Sequence, residues 1–454
     1  MFKNLVKSEF GKNVLTLMTG TSIAQLIPLL LTPVLTRLFS PEEFGIFNFF
    51  MPLVTFLSVI GAGRYEQAIV LPKKDKDAIN ILALCLIILT AYVGVLSIVF
   101  LLFRKDIATL INVESINGWL WFIPICVFLT VGYRIFTYWS NRKKRFLGTS
   151  GAVVSLATAR ATTQISGGLI KFSAPIESKG FVEFFKSIFK KTYVIPSGIT
   201  TVGVSSLILS YAIGLLFGVL LLLFPFLKKD RALFSNVSKS GMREQAKIYK
   251  KFPRINTWHA FGDELKNMGV NSTLIYGFGE VILGFYGMTY RILRAPLAVI
   301  GNSFAQVFFQ KAAEMHANGQ NFVKLVDSTV KKLTLVAVPI FATILIFGPD
   351  LFDFVLGDKW RVAGVYAQYL TPWLFLSFVV APVQQAGVIL NKQGQLFMFS
   401  LLGNFLIFGS ILIGAFLLED ILKGFLMLSI LQIGYYIWVF LWIRSISKKL
   451  SGKV

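Results

Sequence analysis

The stretch from Asn256 to Gly269 contains polar residues inside a long apolar region of the chain. Its residues His259, Asp263, Asn267 and Asn271 are four apart, and residues four apart share one face of an α-helix. A charge at membrane depth costs at least about 2.5–3.5 kcal/mol. This polar stripe therefore predicts a helix face that meets water or a polar partner rather than lipid, with Asn267 and Asn271 as candidate substrate-binding residues.

Five arginines also fall within long apolar stretches: Arg64, Arg134, Arg160, Arg291 and Arg294. Arginine keeps its charge at physiological pH, and its planar fork of donors matches the oxygens of phosphate. At 1.5 Å per helical residue, the five side chains lie at several depths. They are therefore candidate substrate-binding residues for moving a polyanion across a membrane. The alternative is that they form ion pairs between helices.

Three carboxylates lie near these groups in the sequence, Glu66, Asp263 and Glu264. A carboxylate in a low-dielectric site can exchange a proton or bind a cation during a transport cycle. We therefore consider them, with His259, as candidates for coupling to H⁺ or Na⁺, while the alternative is that the carboxylates only neutralise the arginines. A lone histidine on the stripe does not make a metal site, and no metal or other cofactor is expected.

The composition places these residues in a polytopic membrane protein. The chain has 454 residues, of which 55% are hydrophobic, and its mean hydropathy is +0.70. The formal net charge of +23 comes mostly from short loops between apolar stretches, which is typical of membrane topology, so no nucleic-acid partner is expected. Phosphate-binding loops, nucleophile motifs and metal-ligand spacings are missing from the sequence, so no enzymatic activity is expected.

A membrane-spanning helix needs about 20 apolar residues. The sequence predicts an all-α protein with about twelve such spans, of which the seventh is the least apolar. They lie near 13–37, 44–71, 78–103, 118–141, 146–171, 198–226, 252–276, 281–306, 329–356, 366–390, 395–417 and 421–443.

Basic residues predict which ends of the spans face the cytoplasm. With the N-terminus inside, about 28 lysines and arginines fall in inner segments and about 11 in outer ones, so both termini are predicted to be cytoplasmic. Lys3, Lys7 and Lys12 precede a full-length span, so no cleavable signal peptide is expected. The lysine-rich outer loop 171–197 departs from this rule, and its residues 181–191 suit either an amphipathic interfacial helix or a solvated loop.

A long basic inner loop, 228–251, follows the sixth span and suggests two six-helix halves, 1–227 and 252–454. Two short patterns recur in the same order in both halves. The pattern that begins at Phe39 recurs at Phe278, and the pattern that begins at Asn141 recurs at Asn391. Each match is weak by itself, but their agreement in position predicts an internal repeat.

Five stretches between the first and the tenth span resemble the Wzx-type flippases of lipid-linked oligosaccharides, which belong to the MOP exporter superfamily. They read LTRLFSPEEFGIF (35–47), GAGRYEQAIVLPKKDKDA (61–78), YWSNRKKRF (138–146), FGEVILGFYGMTYRILRAPLAVIGNSFAQVFFQKAAE (278–314) and FGPDLFDFVLGDKWRVAGVYAQYLTPWLF (347–375). The lysine-rich outer loop departs from the short loop expected in this family.

The resemblance implies two six-helix bundles around a central cationic cavity in a bacterial cytoplasmic (inner) membrane. It also implies alternating-access transfer of undecaprenyl-pyrophosphate-linked repeat units to the outer leaflet, for O-antigen or other surface polysaccharide, with glycan polymerase or assembly proteins as partners. Arg64 and Arg291 fall in family-like stretches and Arg134 lies just before one, whereas Arg160 and Arg294 depend on the depth argument.

Three other functions are consistent with a polytopic helical protein. A cation-coupled multidrug exporter of the same superfamily usually handles cationic substrates, which the arginines disfavour. A membrane glycosyltransferase or polymerase would normally have a large outer loop with catalytic carboxylates, whereas the long loop here is basic and predicted to be inside. A scaffold without transport would have no use for deep arginines.

Overall fold

The computed structural model describes residues 9–111, 116–173, 201–296 and 300–448, and the regular structure of these residues is entirely helical. The predicted all-α class is thus confirmed. The longer helices are α1 Glu9–Leu38, α2 Pro41–Ser58, α3 Asp75–Ile111, α4 Ile123–Arg142, α5 Phe146–Ser173, α6 Thr201–Lys229, α7 Lys239–Ile248, α8 Thr257–Pro296, α9 Asn302–Ala317, α10 Val323–Leu356, α11 Arg361–Val380, α12 Gln393–Phe416 and α13 Ile421–Lys448. Shorter helical segments are Tyr65–Val70, Asn117–Leu120, Arg231–Asn236, Phe252–Asn256, Asp358–Trp360, Ala381–Gln384 and Gln385–Ile389.

Among the described residues, eight helical stretches are long and apolar enough to cross a membrane. They lie in α1, α3, α4, α6, α10, α11 with its flanking segments, α12 and α13. Of the other four predicted spans, those near 44–71 and 146–171 overlap α2 and α5, and those near 252–276 and 281–306 both fall mainly on α8. Three of these four stretches contain arginines, which lower their mean hydropathy. Arg64 lies in 44–71, Arg160 in 146–171, and Arg291 and Arg294 in 281–306.

The prediction of one continuous span near 44–71 is wrong. Helix α2 ends at Ser58, and the chain then makes a turn in which Gly63 has φ 56° and Arg64 has φ 59°. The short 3₁₀ segment Tyr65–Val70 follows. Glycine disfavours a helix and enters the left-handed region without strain, so the Gly61-Ala62-Gly63 sequence ends the helix before Arg64.

The predicted spans near 252–276 and 281–306 also differ from the structure. A π-turn over Phe252–Asn256 precedes α8, and α8 runs through the predicted loop with a break at Gly279, whose φ is 84° and ψ is 179°. Its end at Pro296 divides the predicted eighth span. Pro28 and Pro33 lie inside α1.

The chain divides into two compact units, Met1–Ser272 (the N-terminal unit) and Thr273–Val454 (the C-terminal unit). In the N-terminal unit, α5 packs against α1 and α6, while α4 contacts α2, α3 and α6. In the C-terminal unit, α11 packs against α10 and α13, and α12 packs against α13. The halves 1–227 and 252–454, with their linker 228–251, stay a prediction.

Equivalent turns in the two units have the same backbone feature. Lys144 follows α4 with φ 53°, and Asn391 precedes α12 with φ 55°. Non-glycine residues seldom adopt a left-handed conformation. In the predicted repeat, Asn391 corresponds to Asn141, so the left-handed residue lies three positions later in the first copy, and the repeat stays a prediction.

Ion pairs join the ends of α3, α4, α5 and α6 in the N-terminal unit. Asp75 binds Lys143 Nζ at 2.5 Å and Arg142 Nη2 at 3.0 Å. Asp230 binds Arg145 Nη1 at 2.6 Å. These contacts fix the ends of the four helices, which supports the side chains deeper in the unit.

Candidate functional site

Arg64 is presented by the left-handed turn after α2. Its side chain is half-buried, and its Nε is buried without a hydrogen-bond partner among the described residues. A buried unpaired donor costs about 1–3 kcal/mol. The turn therefore holds a guanidinium that has not used all of its donors within the protein.

Arg134 and Glu66 lie close to this turn. Arg134 donates from Nη2 to the backbone carbonyl of Ser58, the last residue of α2, and it lies within electrostatic range of both Glu66 and Arg64. The Nε of Arg134 and the Oε2 of Glu66, whose residue is 1% exposed, have no hydrogen-bond partner in the described part of the chain. The structure thus brings Arg64, Glu66 and Arg134 together.

Arg160 joins the same region from α5. Its guanidinium lies over the ring of Phe47 at 5.1 Å and over that of Tyr211 at 5.7 Å. The Tyr211 hydroxyl is 3.0 Å from the Thr130 Oγ1, and Tyr211 lies within electrostatic range of both Arg160 and Arg134. We call Arg64, Arg134 and Arg160, with Glu66 and Tyr211, the N-terminal arginine cluster.

The close approach of α5 and α6 at Arg160 depends on Gly214. A Cβ at this position would lie 2.8 Å from the Leu156 carbonyl oxygen and 3.2 Å from the Arg160 Cβ. Gly214 and Tyr211 were not predicted as site residues from the sequence because glycine and tyrosine are ordinary in apolar spans. The spacing of Tyr211 and Gly214 on one face of α6 was the available signal.

The polar stripe lies on α8 and contacts α2. Glu264 Oε2 accepts hydrogen bonds from Thr55 Oγ1 at 3.3 Å and from Asn267 Nδ2 at 3.4 Å. Asn271 Nδ2 donates to the Asn267 carbonyl at 3.0 Å. Asp263, by contrast, is exposed. The carboxylate that contacts α2 is therefore Glu264, the neighbour of the stripe residue Asp263. Its contact on α2 is Thr55, three residues before Ser58. The side chain of His259 lies outside the described residues.

The C-terminal unit contains the other two arginines, both on α8. Arg291 is half-buried and forms neither a hydrogen bond nor an ion pair within the described part of its unit. Arg294 is exposed, donates from Nη1 to the Tyr290 hydroxyl at 2.5 Å and lies 5.1 Å from the centre of that ring. Both guanidinium groups therefore keep donors for another ligand.

Aromatic packing fixes this part of α8. Tyr290 lies against Tyr286, with ring centres 5.8 Å apart, and against Trp373 at 6.1 Å. Thr289 Oγ1 donates to the Ala363 carbonyl on α11 at 2.7 Å. The two arginines are consequently held on a supported helix rather than on a loop.

Several basic residues of the described part of the chain are paired with carboxylates. The ion-paired ones are Arg142, Lys143, Arg145, Lys171, Arg361, Lys423 and Arg444. Within the described part of their own units, Arg64, Arg134, Arg291 and Arg294 form no such pair. Within these units, the charge of Glu66 near Arg134 is therefore the contact that comes nearest to the ion-pair alternative for these four arginines.

Lys171, predicted to lie in an outer loop, instead belongs to the last turn of α5. Its Nζ lies 2.8 Å from Glu43 Oε2, and Glu43 is 0% exposed. The predicted amphipathic segment 181–191 lies outside the described residues. No group of three or more His, Cys, Asp or Glu that could hold a metal occurs in the described ranges.

Two family models match the chain, and both are described as polysaccharide biosynthesis protein. One matches residues 10–148 and the other matches residues 176–364. No curated protein sequence matches the chain significantly.

Several solved structures have the same fold. The lipid II flippase MurJ, in an inward closed conformation, aligns with a TM-score of 0.68 at 12% identity over 97% of this chain and 89% of its own. An inward-facing multidrug resistance MATE family transporter of the MOP superfamily aligns with a TM-score of 0.65 at 14% identity, over 96% of this chain and 95% of its own. A MOP superfamily transporter from Pyrococcus furiosus aligns with a TM-score of 0.56 at 14% identity, over 99% of this chain and 98% of its own. That transporter is described as having a binding pocket of reverse polarity.

Proposed function

We propose that this chain carries undecaprenyl-pyrophosphate-linked oligosaccharide repeat units from the inner to the outer leaflet. It is a multi-pass membrane protein that has the fold of the MOP superfamily transporters and resembles the Wzx-type flippases of polysaccharide biosynthesis. It acts in a bacterial cytoplasmic membrane, with both termini in the cytoplasm, as a transporter rather than an enzyme. The product serves surface polysaccharide synthesis, such as that of O-antigen, and glycan polymerase or assembly proteins receive it.

One observation carries this proposal: deep arginines that form no ion pair within the described part of their own units. Arg64 and Arg134 each keep a buried Nε without a partner, and Arg291 makes no polar contact within the described part of its unit. A guanidinium without a counterion in an apolar environment is costly. A pyrophosphate offers the charge and the paired oxygens that such donors match.

Solvation explains why such a lipid needs a carrier. A sugar head group cannot cross hydrocarbon unaided because its hydroxyls would lose their hydrogen bonds to water. The polyprenyl tail, conversely, stays in the bilayer because exposing it to water is unfavourable. The arginines bind the pyrophosphate at the junction of these two parts, and alternating access delivers it to the other leaflet. Glu66 and Glu264 are the carboxylates available for H⁺ or Na⁺ coupling.

A cation-coupled drug exporter is the competing function, because a solved structure with this fold is named as a multidrug resistance transporter. A cationic drug would meet the positive potential of the N-terminal arginine cluster, which repels it. The same cluster favours a phosphate. The charge of the site therefore supports an anionic substrate.

The test measures the sidedness of lipid-linked oligosaccharide in a strain that lacks this protein. Inside-out and right-side-out vesicles are compared after complementation with wild type, Arg64→Ala, Arg291→Ala or the control Arg444→Ala, whose arginine is exposed and paired with Asp327. We expect the lipid-linked oligosaccharide to accumulate on the cytoplasmic face in the deletion strain. Of the four proteins, only wild type and Arg444→Ala should restore its transfer to the outer face. Normal surface glycan in both Arg64→Ala and Arg291→Ala would exclude the proposed role of the arginines. Normal sidedness in the deletion strain would exclude the function.

A further inference from the structure

The C-terminal unit contains a cavity of about 300 Å³ between α12, α13 and the segment 381–389. Along α12, its wall runs from Leu396 to Ile407, about 5–21 Å from the helix start at 1.5 Å per residue. Along α13, it includes Tyr435, about 20 Å from Lys448. The cavity therefore lies inside membrane-spanning helices, in the half that the positive-inside rule predicts to be cytoplasmic.

The wall of this cavity is polar but uncharged. Its lining includes four carboxamides, the hydroxyl-bearing Ser400 and the aromatic rings of Phe399 and Tyr435. The carboxamides are those of Gln384, Gln385, Asn404 and Gln432. No Asp, Glu, Lys, Arg or His is among the described residues that line it. An ion is therefore a poor occupant, because nothing in the wall would balance its charge.

The polar side chains of the wall differ in whether they are hydrogen-bonded within the protein. Gln432 Nε2 donates to the Gly403 carbonyl at 2.9 Å, and the Tyr436 hydroxyl donates to Ser377 at 3.1 Å. Gln384 and Gln385 are half-buried, and their side-chain carboxamides make no hydrogen bond with the described residues. An unsatisfied polar group at membrane depth costs several kcal/mol, so these two carboxamides favour a polar occupant.

The size and chemistry of the cavity select a small ring with many hydroxyls. Each carboxamide offers both donors and an acceptor, which suits hydroxyl groups, since each hydroxyl also donates and accepts. The faces of Phe399 and Tyr435 suit the C–H surface of such a ring. A volume of about 300 Å³ is at the lower end of ligand pockets, enough for one sugar ring and too small for a whole oligosaccharide.

We propose that this cavity binds one uncharged sugar ring of the carried saccharide, a site separate from the arginines that bind the pyrophosphate. This inference rests on the proposed function and adds the substrate class of a second site. It predicts that the protein selects for a neutral hexose or N-acetylhexosamine at one position of the repeat unit.

Tyr436 connects the cavity to an arginine. It lines the cavity, and it lies within electrostatic range of Arg294. In this proposal, Arg294 holds the phosphate of the substrate whose sugar occupies the cavity. The order of groups in the site would match the covalent order of phosphate and sugar in the substrate.

The test uses full-length protein in lipid nanodiscs and saturation-transfer difference NMR with the methyl glycosides of glucose, galactose and N-acetylglucosamine. The variants are Gln384→Leu/Gln385→Leu, which removes both carboxamides, and Ser400→Phe, which fills the cavity from α12. The matched control is Gln395→Leu, at an exposed glutamine that does not line the cavity. We expect at least one glycoside to bind wild type, Gln395→Leu and Arg64→Ala, and to bind both cavity variants about tenfold more weakly or not at all, as the loss of about one hydrogen bond or more would produce.

The outcomes separate this inference from the proposed function. If no glycoside binds wild type, or if binding is unchanged in both cavity variants, the cavity is only a solvated packing defect and the inference fails, while the arginine variants still test the flippase. If binding is lost in the cavity variants but oligosaccharide export is normal, the sugar is not that of the carried substrate. Export that is normal in Arg64→Ala and Arg291→Ala would count against the proposed role of the arginines, whatever the sugar binding.

Discussion

The hydroxyl of Thr55 on α2 donates a hydrogen bond to the carboxylate of Glu264 on α8, with 3.3 Å between the two oxygens. Thr55 lies one turn before Ser58, whose carbonyl accepts from Arg134. The helix that ends at the N-terminal arginine cluster therefore also contacts the carboxylate best placed for ion coupling.

Replacing Glu264 by glutamine tests this coupling. Glutamine keeps an oxygen to accept from Thr55 but cannot ionise, so we expect transport by Glu264→Gln to lose its dependence on an imposed proton or sodium gradient. Transport of lipid-linked oligosaccharide in proteoliposomes, with and without each gradient, measures the effect. The control is Asp263→Asn, at the exposed neighbouring carboxylate, which should keep the dependence. A Glu264→Gln protein that still responds to the gradient would show that this carboxylate is not the coupling group.

Replacing Arg64 by glycine separates the side chain from its unusual backbone. Glycine adopts φ near 59° without strain, so we expect Arg64→Gly to keep the thermal stability of the wild type while surface glycan is lost. Arg64→Lys, which keeps the charge but not the fork of donors, should restore export only in part. Thermal unfolding in detergent and surface-glycan staining measure the two properties. Unchanged surface glycan in Arg64→Gly would mean that this arginine only shapes the turn.

Replacing Gly214 by alanine should move Arg160. The new Cβ would lie 2.8 Å from the Leu156 carbonyl oxygen, so α5 and α6 must separate, at a cost of about 1–3 kcal/mol. We expect a lower unfolding temperature together with reduced glycan export. Gly151→Ala, on α5 with open space around it, should be neutral or stabilising by up to about 1 kcal/mol. Equal stability of the two alanine variants would contradict the close approach of α5 and α6.

Replacing Lys171 by methionine should destabilise the N-terminal unit. The buried carboxylate of Glu43 would keep the hydrogen bond from the Ser40 backbone N–H but lose the Lys171 ammonium, and breaking a buried ion pair costs about 3–5 kcal/mol. We expect a lower unfolding temperature for Lys171→Met, which Lys171→Met/Glu43→Gln largely restores. In the exposed pair of Lys423 with Asp420, the lysine side chain is 65% exposed. Lys423→Met should therefore cost less than about 1 kcal/mol. A double variant as unstable as Lys171→Met would show that the buried charge is not the cause.

Several features of the fold follow directly from the sequence. The predicted loop between residues 276 and 281 contains Gly279, where α8 breaks, because glycine with φ 84° interrupts a helix without steric strain. The repeat predicted between Asn141 and Asn391 matches two turns with left-handed residues. These features depend on local residue preferences, which a sequence shows.

The side-chain arrangement of the site was less predictable. The stripe was defined by residues four apart, but four residues advance a helix by about 400°, so each step drifts by about 40°. Over the stripe this drift favours Glu264 over Asp263 as the carboxylate that faces α2. The contribution of Tyr211, and the unpaired carboxamides of Gln384 and Gln385, depend on which helices pack together, and no local pattern determines that.

The eight stretches that are long and apolar enough to span a membrane do not include α2, α5 or α8, although Arg64 follows the first of these and Arg160 and Arg291 lie on the others. A charged arginine at the centre of a helix raises its apparent insertion free energy by about 2.5–3.5 kcal/mol. During synthesis, α5 and α8 should therefore enter the bilayer only when their more apolar neighbours are already there. The arginines that suit the protein for a polyanionic cargo consequently also bear on its biogenesis, in which the independent insertion of α4 and α6 prepares a place for α5 between them.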